Sequence, residues 1–107
     1  MAREQMNDGL VRQYITADRV TVARLEMKRG GVVGKHAHEN EQVSFVVSGA
    51  LKFTIEGRDI VVKAGELLQI PSDVPHEVEV LEDSVAIDVF CPIRQDWIDK
   101  TDTYFRR

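Results

Sequence analysis

Residues 20–28 alternate strictly. Thr21, Ala23, Leu25 and Met27 fall on one side of an extended segment, and Arg24, Glu26 and Lys28 fall on the other. The same two-residue period returns at Leu51, Phe53 and Ile55 against Lys52, Thr54 and Glu56. It returns again at His76, Val78 and Val80 against Glu77 and Glu79, and at Ala86, Asp88 and Phe90 against Val85, Ile87 and Val89. Residues 11–16, 42–48, 60–62 and 67–70 read as further short strands. Turn chemistry separates them: Ala17-Asp18-Arg19, Gly30-Gly31, Glu39-Asn40-Glu41, Gly49, a hairpin turn at Gly57-Arg58-Asp59, Ala64-Gly65 and Glu82-Asp83-Ser84. Pro71 and Pro75 stiffen a corner, because each fixes its own φ and extends the residue before it. No segment keeps a helical period. Residues 96–100 allow one helical turn, with Asp96 as its N-cap. Short strands with turn signals about every 8–12 residues predict an all-β sandwich or barrel.

The 107 residues make one domain, with residues 1–9 flexible, the barrel over about 11–94 and a C-terminal tail over 95–107. A hydrophobic fraction of 43% supports a single core. The net charge of -4 and the lack of a basic stretch argue against a nucleic-acid partner, and Arg106-Arg107 reads as a solvated tail. No apolar run approaches the ~20 residues of a membrane span. The start, MAREQMNDG, has no apolar stretch of the kind found in secretion signals. With Cys91 as the sole cysteine, the expected location is the cytoplasm. A small barrel has little core and open strand edges, so a homodimer is expected, with residues 11–16 pairing across a two-fold axis.

The chemistry gathers on three histidines. His36 and His38 stand two residues apart, so in an extended chain both imidazoles point the same way. Gln42 follows closely, and His76 stands after the proline corner. Three imidazoles and a side-chain oxygen suit a divalent transition metal such as nickel, zinc, manganese, iron or copper. Glu39 and Glu41 are alternatives to Gln42 as the fourth ligand. Because imidazole must be neutral to ligate, binding is expected to weaken as pH falls through about 6.5. Asp88 sits among apolar residues and shares a face with Phe90. It reads either as one half of a structural ion pair or as a proton-transfer group. Arg94 is either its partner or a clamp on a substrate carboxylate. Cys91, of opposite parity, reads as a packed thiol. Trp97, Tyr104 and Phe105 are expected to cover a barrel end or meet a dimer partner.

This spacing resembles the cupin superfamily. Gly30, His36, His38, position 42 and Gly49 lie on its first motif, with Gln42 where the general motif has Glu. Gly65, Pro71 and His76 lie on its second, with Asp73 in place of the inner glycine and Val80 in place of an asparagine. The resemblance covers residues 20–94 and implies a cupin-type jelly-roll β-barrel. HAHENEQ and the tail residues Asp88, Phe90, Pro92 and Arg94 are similar to the pectin-degradation cupins of the KdgF type, which linearise unsaturated uronates. That group carries a histidine where this chain has Asn40. The resemblance implies His36, His38, Gln42 and His76 as metal ligands and Asp88, Arg94 and Phe90 around a small anionic substrate, a sugar acid. Two other readings stay open: a non-catalytic small-molecule or metal-binding module, and a metal-dependent dioxygenase, since the fold hosts many reactions.

Overall fold

The computed structural model describes residues 3–101. Ten strands and one helical turn run in the order β1 (Glu4–Asn7), β2 (Leu10–Thr16), β3 (Thr21–Met27), β4 (Val32–His36), β5 (Glu41–Ser48), β6 (Ala50–Ile55), β7 (Arg58–Lys63), β8 (Leu67–Ile70), β9 (His76–Val80), β10 (Ser84–Cys91) and α1 (Gln95–Ile98). They form two antiparallel sheets, one ordered β1-β2-β3-β10-β5-β8 and the other β4-β9-β6-β7. This is the all-β architecture expected from the alternation, in the jelly-roll form that the cupin resemblance implies.

The alternating residues meet between the sheets. Ala23, Leu25, Met27, Val46, Ala86 and Phe90 come from the larger sheet, and Leu51, Phe53, Ile55, Val62, Val78 and Val80 from the smaller; all are buried. Two turns show why particular residues stand where they do. At Gly49 φ is +85°, and a Cβ there would overlap Asp83 O and Ser84. Only glycine fits between β5 and β6. At position 73, where the family motif has glycine, Asp73 holds φ at +63°, a conformation that Asp tolerates better than most residues. Its N–H donates to His38 O at 2.8 Å, so this corner is tied directly to the histidine loop.

Several local expectations change. Glu4–Asn7, within the stretch expected to be flexible, is a strand paired to β2 and buries Met6. β3 pairs with the whole of β2 on one side, and on the other β1 pairs with residues 10–12, so β1 takes up residues 11 and 12 of the edge expected over 11–16. The hairpin between β6 and β7 turns on Glu56-Gly57, both at positive φ, which leaves Arg58 and Asp59 inside β7. Arg94, not Asp96, is the N-cap of α1, and no side chain caps it. Cys91 is exposed, because the alternation puts it on the outer side of β10. Trp97 is buried, packed edge-on against Tyr14 and Phe90 and covered by Arg12 and Arg94. Tyr104, Phe105, Arg106 and Arg107 lie outside the described residues.

The outer face of the larger sheet is apolar across four strands. Ile15 pairs with Val22, Val22 with Val89 and Val89 with Val43, and all four are exposed. The neighbouring row runs Arg24, Ile87, Phe45 and the exposed Leu67.

Candidate metal centre

The two strand ends that carry histidines are in register. His36, last in β4, pairs directly with His76, first in β9. His38 follows in the loop that the Asp73 hydrogen bond restrains. Ring centroids stand 4.3 Å apart for His36 and His76, 5.0 Å for His38 and His76, and 5.6 Å for His36 and His38. One ring nitrogen from each lies within 4.8 Å of the others.

Hydrogen bonds fix the tautomers. Each Nδ1 faces a backbone carbonyl two residues away: His36 to Gly34 O at 2.8 Å, His38 to Asn40 O at 2.9 Å and His76 to Val74 O at 2.9 Å. A carbonyl only accepts, so each Nδ1 carries the proton and each Nε2 presents a lone pair. Metal-binding histidines are oriented by this kind of backbone contact.

Two contacts then call for a cation. Nε2 of His76 is buried and is the one such side-chain atom among the described residues without a hydrogen-bond partner. Nε2 of His38 faces Gln42 Oε1 at 3.2 Å. With the proton on Nδ1, these are two acceptors pointing at each other. The Gln42 amide cannot relieve this by turning over, because its N–H groups are engaged with Ser44 Oγ at 2.9 Å and Asp88 Oδ2 at 3.4 Å. A buried orphan acceptor and an acceptor-to-acceptor contact suit a divalent ion held by nitrogen and oxygen. His36, His38, His76 and Gln42 therefore fit such an ion. Glu39 and Glu41 are exposed, and Glu41 instead accepts from Gln69 Nε2 at 2.7 Å on the outer side of the sheet.

Burial keeps the imidazoles neutral. It pushes the pKa of His36 down to about 3 and that of His38 down to about 4, with the positive charge of Arg94 adding to the effect at His38; burial also lowers His76. Proton competition for the ion should therefore set in well below pH 6.5. The stability of metal-stripped protein should follow the same groups. Below about pH 6.5 the unfolded chain binds protons that the folded chain refuses, so stability falls as pH drops from about 6.5 toward 4. Thermal melts of chelator-treated protein across that window check this; a melting temperature constant from pH 7 to 4.5 would contradict it.

Beside the histidines a cavity of about 40 Å³ is lined by His36, His76, Gln42, Asp88, Phe90 and Arg94, among others. It has room for a few waters. Asp88 and Phe90 come from β10, opposite Ser44 and Gln42 of β5. Burial raises the Asp88 pKa to about 6; a hydrogen bond from Ser44 and the charge of Arg94 moderate the rise. A carboxyl poised near neutrality can both take and give a proton.

Arg94 forms its ion pair with Asp96 rather than with Asp88. Its Nε and Nη2 bind the two oxygens of Asp96 at 2.9 and 2.7 Å. The guanidinium lies 4.6 Å from the Phe90 ring centre and 4.5 Å from that of Trp97, while Arg12 covers Trp97 at 4.1 Å. Asp96, Ser44 and Asn40 were missed as contributors. The Asn40 amide donates to Pro92 O and Ile93 O and ties the histidine loop to the segment that carries Arg94. Ser44 shares the parity of Gln42 on β5, and that alternation was the available signal.

Comparison with known proteins agrees with the geometry. The model of the Cupin domain family matches residues 23–91. The chain is 31% identical over 98 residues to the pectin degradation protein KdgF of Dickeya dadantii, covering 89% of each. Among solved structures, KdgF from Halomonas sp. superposes with a TM-score of 0.84 at 28% identity, over 91% of this chain and 93% of that one. An RmlC-like cupin from Shewanella frigidimarina gives 0.83 at 29% identity, over 90% and 87%.

Proposed function

The chain belongs to the cupin domain family and is of the KdgF type, and from that premise we propose that it is a metal-dependent enzyme that opens an unsaturated uronate derived from pectin to its linear keto form. The observation that carries this reading is a near-neutral buried carboxyl, Asp88, in one cavity with two of the three histidines. A divalent ion held by the three Nε2 atoms and Gln42 Oε1 would supply Lewis-acid polarisation of a substrate oxygen.

The chain's own residues account for the proton movements. Asp88 takes the proton of the anomeric hydroxyl as the bond from the anomeric carbon to the ring oxygen breaks. The released oxygen is then an enolate, and the same proton returned from Asp88 to the neighbouring carbon converts it to the ketone. No atom is gained or lost, so one carboxyl serves both transfers. Arg94 contributes positive potential at the cavity wall, seen in its downward pull on His38, His76 and Asp88, and that potential favours an anionic substrate. Phe90 forms an apolar wall, 5.6 Å from the His38 ring. A cavity this small admits the reacting end of the sugar and leaves the remainder at its mouth.

The test is the ultraviolet absorbance of a 4,5-unsaturated uronate, followed with protein loaded in turn with nickel, zinc, manganese, iron and copper. Decay faster than the spontaneous rate is expected with at least one ion. Spontaneous decay with every ion would overturn the proposal, and oxygen uptake by the iron form would point to a dioxygenase.

The proposal extends to assembly and location. No helix among the described residues is long and apolar enough to cross a membrane, and we place the protein in the cytoplasm as a homodimer. The outer face of the larger sheet is the surface that would join two copies. Four strands at about 4.8 Å spacing and the two rows about 6.8 Å apart give roughly 260 Å² of largely apolar plane, a contiguous patch rimmed by polar residues. Arg24 within the second row and Glu26 beside it on β3, salt-bridged at 3.0 Å, present both signs of charge to a two-fold mate. Light scattering should give twice the chain mass, and Val22→Lys with Val89→Lys should give the single mass; a monomeric parent protein at micromolar concentration would reject the dimer.

A further inference from the structure

We propose that Ser44 is a positioning residue that determines which end of the Gln42 amide meets the histidines. The inference rests on the metal-centre reading above, but not on the substrate. A primary amide is almost symmetrical in shape, so packing alone cannot choose between its oxygen and its nitrogen. Here the choice is made by an ordered chain of donors. Ser44 is fully buried on β5, directly opposite Asp88 on β10. Across the two strands its hydroxyl is the hydrogen-bonding group that holds down the Asp88 carboxyl's pKa, and a carboxylate can only accept. The hydroxyl's lone pairs are thereby turned to Gln42, whose Nε2 donates to Ser44 Oγ at 2.9 Å and reaches Asp88 Oδ2 at 3.4 Å. The amide oxygen has to take the other side, 3.2 Å from His38 Nε2.

That orientation is unfavourable for the protein by itself, because two acceptors meet. The reverse orientation would let the Gln42 N–H donate to His38 Nε2 and form a hydrogen bond. It would also put an amide nitrogen, which has no lone pair to give, where the fourth ligand stands. Ser44 is the group that prevents this reversal. A divalent cation held by the histidines and Gln42 would let both acceptors serve as ligands instead of facing each other.

The experiment compares Ser44→Thr with Ser44→Val, two side chains of nearly one shape that differ in the hydroxyl, with Co²⁺ as the probe. Ser44→Thr should keep Co²⁺ affinity and the Co²⁺ visible absorption spectrum. Ser44→Val should lose affinity about 10–100-fold, the usual effect of removing a group that orients a ligand, and its spectrum should change with the loss of an oxygen ligand. Ser44→Ala, which removes only the hydroxyl, should behave as Ser44→Val does and serves if the larger side chains do not fold at this buried position. In metal-free protein the Gln42 side-chain amide resonances should move in Ser44→Ala and stay in place in Ser44→Thr. Wild-type affinity and spectrum in Ser44→Ala and Ser44→Val would overturn this inference and leave the metal centre standing. Equal losses in Ser44→Thr and Ser44→Val with Ser44→Ala unaffected would reduce Ser44 to packing. Wild-type protein that takes up no Co²⁺ would remove the metal reading and this inference together.

Discussion

Asp88→Asn should lower kcat by ~10²–10⁴ while metal content stays at the parent level. The carboxyl, with its pKa raised to about 6, can exchange its proton near neutral pH, and the amide removes that exchange while preserving shape. The same substitution should stabilise metal-stripped protein in alkaline solution. The folded pKa of about 6 exceeds the 3.8 of a free aspartate. The folded state therefore favours the protonated form, and stability is lost as pH rises through about 6. The difference corresponds to about 3 kcal/mol at pH 8. Asparagine does not ionise, so its advantage over the parent should be present at pH 8, shrink as pH falls from about 6 and be gone below about pH 4. A kinetic defect combined with a gain in melting temperature is the signature of a functional carboxylate. A substitution that unfolds the protein at pH 8, or that leaves kcat unchanged, would refute the assignment.

Arg94→Ala should destabilise the fold by ~3–5 kcal/mol, through a lost buried side chain and lost charge-assisted hydrogen bonds, and so lower the melting temperature by more than about 10 °C. The side chain is 1% exposed, is stacked against Phe90 and Trp97, and holds Asp96 by two bonds. Arg94→Lys keeps the charge but not the planar two-point contact, so it should recover only part of the loss. Any change in KM has to be read beside the melt, because Arg94 also lines the cavity. Parent-like melting of Arg94→Ala would show that the Arg94–Asp96 pair and the aromatic stack contribute little.

Most of the fold was legible because its strands are half-buried and alternate. The inward set Ala86, Asp88 and Phe90 and the outward set Val85, Ile87 and Val89 could be separated by parity alone, and β10 buries the first set more deeply than the second. β1 was not legible: it is four residues, Glu4–Asn7, of which only Met6 is buried, and short polar edge strands leave no periodic signal. The convergence of the histidines was legible from spacing, but the reason their Nε2 atoms face inward was not, since it depends on carbonyls whose direction is set by the loop backbone. The partner of Arg94 was misjudged for a related reason. Asp96 lies two residues away, and a short-range contact across the start of a helical turn depends on local dihedrals that sequence parity does not carry.

The three Nδ1 contacts also bear on the thermodynamics of metal uptake. Each ring is anchored to a carbonyl only two residues away along its own segment, so its direction is held before any ion arrives. Little rotamer entropy is left to lose on coordination, and few groups have to rearrange. Calorimetric titration should then report a binding enthalpy close to that of the coordination bonds themselves, with almost no change in heat capacity. A site whose rings are oriented in advance should also discriminate among ions by radius as well as by charge, which the same titration run across the divalent series would read.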